Sequence, residues 1–368
     1  MGDVSDTLVF LVVLALRLVV PLAIPRVPLP AIIACLVLDG VDQTVFQQWT
    51  DLELTGYQSY DKALDVYYLT IAYLSTLRNW DNLTAFVSSR FLLYYRLVGV
   101  MLFEFTYIRA LLLIFPNTFE YFFIFVEAVS LRWNPLRMSR RLVLGAVAAI
   151  WIFIKLPQEW WIHVAKLDVT DELAAHPEVI PFLVAAGIAL LGVAWWVVRH
   201  RLPPPDWPLR LVVEDPFGDR ELERRAQGML AGRFFDIVLV EKIVLVSLVT
   251  VIFSRILPDV RQSPLQLGIG VATLIVANTA VSEWLVRRGA GWETALRQFV
   301  AMAAINSGLM VVAEFLLPWR NGDFRLGNAL FFMLLITLLI TLFDRYRPIH
   351  AAREMQRLEE LRRSIAPA

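Results

Sequence analysis

The chain has a single cysteine, Cys35, set inside an apolar run, so an internal disulfide and a cysteine-based zinc site are both excluded. It has no excess of charge of either sign: 34 Lys and Arg balance 34 Asp and Glu, and nothing global points to nucleic acid as a partner. No Walker lysine loop, dinucleotide fingerprint, HExxH helix or nucleophile elbow occurs, which removes the enzyme classes most easily recognised from sequence. The start, Met1-Gly2-Asp3-Val4-Ser5-Asp6, lacks the basic flank of a secretory signal and has Asp6 where a myristoylation motif needs Ser or Thr. The first apolar run is therefore expected to remain as a helix.

What the chain does have is apolar length. It is 58% hydrophobic and only 18% charged, too apolar for a soluble globular domain. Runs of roughly 17–25 residues, the length that crosses a hydrocarbon core as a helix, recur from end to end. The expected fold is all-α, a polytopic membrane bundle of about eleven transmembrane helices, over 8–24, 28–48, 60–77, 86–115, 118–131, 142–154, 180–198, 234–256, 265–285, 294–317 and 326–343. A hydrophilic stretch separates seven helices from four. The domains are a polar-cored bundle over 1–198, a cytoplasmic linker over 199–232, a second bundle over 233–345, and a cytoplasmic tail helix over 346–368. No repeat relates the two bundles.

Local signals place the boundaries. Pro116-Asn117 is a turn signal after the long fourth helix, and Leu156-Pro157 is expected to stop the sixth. The segment 158–179 is then extramembrane, with Trp160-Trp161-Ile162 at the interface. His163, Asp168, Asp171, Glu172 and His176 fall in it, but their spacing fits no strict metal-ligand pattern and reads as a solvated acidic loop. Pro203-Pro204-Pro205 makes a stiff start to the linker, and Asp219 is an N-cap for a short helix through Leu230. Lys and Arg concentrate on one side, including Arg26, Arg78, Arg132, Arg137, Arg140, Arg141, Arg199 and the tail. The positive-inside rule then puts the N-terminus outside and the C-terminus in the cytoplasm of a multi-pass cell-membrane protein.

The candidate site is a set of charges at membrane depth: Arg17, Asp39, Asp42, Asp61, Asp65, Arg96, Glu104 and Glu127. Charged side chains there are costly and mark pathways, relays or internal pairs. At about 1.5 Å rise per residue, Arg17 and Arg96 come near the midplane with Asp39 and Glu127 close to that level. Asp42, Asp65 and Glu104 lie nearer the outer face and Asp61 at its rim. Asp39, Gln43 and Gln47 share one helix face, as do Asp61 and Asp65. Tyr60, Tyr67, Tyr68, Tyr94, Tyr95 and Tyr107 either line the same space or pack. The expectation is an acidic cavity open to the outside; the alternative is that Arg17 and Arg96 pair with the acids and only lock the helices together.

Asp39-Gly40, followed by Gly56 and by Asp61-Lys62-Ala63-Leu64-Asp65, is faintly similar to the signature of the CDP-alcohol phosphatidyltransferases. The similarity covers fewer than about thirty residues, the length of a short supersecondary unit; Leu36 stands where that family has its first aspartate, and both later spacings are longer. The resemblance implies a metal-dependent enzyme acting on a lipid-linked substrate, with Asp39, Asp61 and Asp65 as metal ligands. Three functions therefore stand: a transporter or channel-like protein moving a small solute or cation, such an enzyme, and a structural or assembly protein. No resident cofactor is implied, although a bound cation suits the acids. Expected partners are the bilayer and a small solute or cation. At the tail, Arg353, Arg357, Arg362 and Arg363 suit anionic lipid heads or a cytoplasmic partner.

Overall fold

A computed structural model describes residues 2–50, 57–165, 175–214, 237–254, 264–287, 295–316 and 326–365. All regular structure among them is helical. In chain order the helices are α1 (Gly2–Val19), α2 (Pro28–Trp49), α3 (Tyr57–Asn79), α4 (Leu83–Thr106), α5 (Ala110–Ile114), α6 (Thr118–Ser130), α7 (Arg140–Val164), α8 (Ile180–His200), α9 (Ile237–Ser254), α10 (Pro264–Arg287), α11 (Ala295–Leu316) and α12 (Leu326–Ile365). Seven segments are long and apolar enough to cross a membrane: Asp6–Ala23, Pro28–Phe46, Leu83–Thr106, Ala110–Ser130, Arg140–Val164, Pro177–Val197 and Ile237–Ser254. By length and composition this architecture is compatible with an integral membrane protein, and seven of the expected spans meet the criterion among the described residues.

The axis of the bundle is α3, which is not one of those seven. Every residue from 62 to 78 is buried, and α1, α2, α4, α6, α9 and α12 all touch it. A helix buried on all sides must satisfy its polar groups internally. Thr70 donates to Val66 O, Ser75 to Ala72 O and Thr76 to Tyr73 O, each at 2.7 Å. Its tyrosines reach outward in three directions: Tyr67 Oη donates to Leu18 O at 2.9 Å, Tyr68 Oη to Glu120, and Tyr73 Oη to Glu241 at 2.6 Å. Three tyrosines thus tie α3 to α1, α6 and α9.

Two helix boundaries differ from those expected. The run 86–115 is not one helix, because α4 ends where Tyr107 takes a left-handed conformation, φ 55°, and its N–H closes onto Phe103 O. The chain then folds back as α5 against α4, with Tyr95 Oη donating to Ile114 O at 2.9 Å. That return needs Gly99, since a Cβ there would stand 2.1 Å from Phe115 Cβ. The sixth helix does not stop at Pro157. Helix α7 runs on to Val164 because π-helical turns at Ile150–Lys155 and Trp160–Val164 shift the backbone pairing, so the proline, which has no N–H, sits in the first turn of the intervening α-helical Leu156–Glu159. Residues 158–164 are therefore helical and continue the bundle; Asp168, Asp171, Glu172 and the expected helix from Asp219 to Leu230 lie outside the described residues.

On one face the chain is cross-tied around the end of α3. Arg78 donates to Pro25 O and to Glu214 O, Val213 N–H to Arg26 O at 2.8 Å, and Arg210 N–H to Leu131 O at 3.2 Å. Helix α12 is continuous for 40 residues, so the expected tail helix and the expected last span are one helix. Arg353 and Arg357 donate to Arg78 O and Asp81 O at the end of α3, which engages these two tail arginines with protein. By contrast, none of the described residues of α8 is buried.

Candidate functional site

Helices α1, α2 and α3 bring five of the expected residues together. Arg17 comes from the last turn of α1, Asp39 and Asp42 from adjacent turns of α2, and Asp61 and Asp65 from one face of α3. Arg17 Nη1 donates to Asp42 and, at 3.0 Å, to Asp61; Nη2 donates to Asp39 and, at 3.5 Å, to Asp65. The guanidinium is thus ringed by four carboxylates. Its side chain is 2% exposed and that of Asp42 is 1%, whereas Asp39 and Asp61 are 24% and 22% exposed. The ring is buried at its base and partly exposed at its rim.

One carboxylate oxygen from each of Asp39, Asp61 and Asp65 can be chosen so that all lie within 4.8 Å of one another. Hard carboxylate oxygens in that arrangement suit a cation of the magnesium, calcium or manganese type. Arg17 already holds the same three acids, so a cation there competes with a charge that the chain itself supplies.

The other expected residues go elsewhere. Arg96 is in a second network between α4, α6 and α7, where it faces Glu159 at 3.9 Å and donates to Phe115 O at 3.1 Å. Glu159 also accepts the Asn117 N–H at 3.1 Å and meets His163 Nε2 at 2.9 Å. Glu120 accepts from Tyr68 Oη and from Asn117 Nδ2, with Lys155 Nζ at 3.7 Å. Glu104 is buried in the last turn of α4. Glu127 lies in the last turn of α6, accepting from Trp80 Nε1 at 2.6 Å beside a cavity of about 40 Å³ that Arg210 also lines. It sits beside Trp80, just past the end of α3, and not at the level of Arg17, whose partners Asp61 and Asp65 lie near the start of that helix.

Sequence reasoning missed the buried Glu120, Lys155 and Glu159, and placed His163, which joins them, in a solvated loop. The signal was there: Lys155, Glu159 and His163 recur every four residues and so share a helix face. Treating Pro157 as a stop moved all three out of the bundle. A further pair ties the later helices α9, α10 and α12 to one another, with Lys242 Nζ donating to Asp344 at 2.6 Å and to Thr279 at 2.7 Å.

Compared with known proteins, the chain matches no family model, no curated protein and no solved structure.

Proposed function

We propose that this is a cell-membrane protein that binds a cation at Asp39, Asp61 and Asp65 and uses it to move a small solute or the cation itself, with Arg17 as the built-in competitor that fills the site when the cation leaves. The observation that carries this reading is the ring's imbalance: four carboxylates converge on one guanidinium, and the two most exposed carboxylates lie at its rim. Ionised carboxylates in a low-dielectric interior that exceed their counter-charges take up protons or hold cations. Displacement of a tethered arginine by an incoming cation couples occupancy to the position of α1 against α2 and α3. Differential binding of that kind is what an alternating conformational cycle requires.

The metal-dependent enzyme is the second reading, supported by the same three converging aspartates. It needs the acids free to ligate a metal throughout turnover, whereas three of the four donor contacts made by Arg17 fall on them.

The test is cation-dependent stability of the purified full-length protein. Titrating Mg²⁺, Ca²⁺, Mn²⁺ or Na⁺ should raise the melting temperature of the wild type, and Asp61→Asn should abolish the rise. A melting temperature indifferent to every cation and to pH between 5 and 8 would overturn the proposal.

A further inference from the structure

On the face where α6 ends, α7 begins and α8 ends, a groove of about 770 Å³ is lined by Arg132, Trp133, Trp195, Arg199 and the Leu202–Pro205 turn. The lining contains two arginines and no acid. Asp206, next along the chain, is already bonded to Arg137 and, at 2.9 Å, to the Asn134 N–H. The groove is held open by rigid parts. Trp133 Nε1 donates to Pro203 O at 3.0 Å, and three consecutive prolines form the far wall.

We propose that this groove binds the headgroup phosphate of an anionic phospholipid, with the acyl chains lying along α8. The charge complements a phosphate. Arg199 lies over the Trp195 ring at 5.4 Å, and a guanidinium stacked in this way keeps its in-plane N–H groups for phosphate oxygens. The tryptophans are of the type that settles at the level of lipid headgroups, and basic pockets between membrane helices hold such heads. Trp195 continues into Leu191, Ile188 and Val184 on one helix face, and these are 72%, 66% and 55% exposed. An apolar track therefore leads from the charged groove into the hydrocarbon. No described residue of α8 is buried in the protein core, so bound lipid supplies the contacts between that helix and the body of the bundle.

The experiment measures melting temperature of the full-length protein in neutral detergent against added short-chain phosphatidylglycerol, phosphatidylcholine of the same chain length, and inorganic phosphate. Phosphatidylglycerol should raise it saturably and the other two should not. Arg132→Gln with Arg199→Gln should weaken the half-saturating concentration by about thirtyfold, since each arginine near a lipid surface contributes about fivefold. The single Arg199→Gln variant, at an exposed position, should show about fivefold if the double variant does not fold. Arg140→Gln with Arg141→Gln, on the same face but outside the groove, should leave the response intact. Equal stabilisation by phosphatidylcholine, reproduction of the effect by inorganic phosphate alone, or an unchanged response in the groove variants would each overturn the lipid site.

Discussion

Asp65→Asn separates a cation site from a helix lock. Asp65 is the most distant of the four acids from Arg17, at 3.5 Å, and its oxygen lies within 4.8 Å of those of Asp39 and Asp61. At an effective dielectric of about 20, removing its charge loses roughly 4.7 kcal/mol of attraction to Arg17 and relieves roughly 3.5 kcal/mol of repulsion from each neighbouring aspartate. These three contributions alone favour removal by about 2 kcal/mol when the acids are ionised, and the attraction of Asp65 to Lys62, also lost, reduces that gain. The amide introduced by Asp65→Asn still accepts from Arg17 and gains an N–H for a neighbouring carboxylate. Thermal unfolding at neutral pH and low cation should therefore show Asp65→Asn equal to or above the wild type, with a smaller response to added cation. Arg17→Gln should lose at least about 3–5 kcal/mol, the cost of stranding buried charge. If Asp65→Asn instead unfolds as readily as Arg17→Gln, the ring is a set of paired charges with no surplus, and the transport reading goes with it.

Other expectations are narrower. Gly99→Ala places a Cβ 2.1 Å from Phe115 Cβ and should lower stability by about 1–3 kcal/mol or more, read from the melting curve. Asp344→Asn strands Lys242, which is 3% exposed, and should cost about 3–5 kcal/mol; a loss under about 1 kcal/mol would mean the pair is solvated. His350, beyond the last apolar run and packed on Phe86 at 4.0 Å, is pushed down to about 4 by burial and by Arg347, Arg353 and Arg90. The folded protein then binds fewer protons than the unfolded chain between pH 4 and 6.5, so stability is full above pH 6.5 and falls by up to about 1.4 kcal/mol per pH unit towards pH 4. His350→Phe keeps the ring contact and should remove that slope.

How far the fold was legible depended on which constraint set each element. The bilayer imposes a fixed apolar length, so the expected spans 28–48 and 180–198 lie close to the limits of α2 and α8. Where backbone geometry decides, sequence signals misled. Pro116 drew attention as the break after α4, but the chain turns at Tyr107, a non-glycine residue in the left-handed region that carries no such signal. Pro157 looked like a stop because the rule assumes α-helical pairing, and π-helical turns on both sides remove that assumption. The central place of α3 was hidden for a different reason. Tyr67, Tyr68, Thr70, Tyr73, Ser75 and Thr76 look amphipathic until they are seen bonded to a neighbour or to their own backbone.

For the site, spacing revealed that Asp61 and Asp65 share a face, but spacing along one helix says nothing about which way that face turns. The rotation of α4 decides that Arg96 meets Glu159 on α7 and not the aspartates. This division sharpens the functional assignment. In the second network Arg96 and Lys155 match Glu120 and Glu159 in number, so it can be neutral without help from solvent. Among the described networks that join two or more acids, only the ring around Arg17 carries more acids than bases. A surplus of that kind favours taking up protons, water or a cation, and Asp39 and Asp61 are its partly exposed members. The charge-balanced network and the acid-rich ring are therefore separate sets, adjoining along α3, where Tyr68 bonds Glu120 one turn after Asp65.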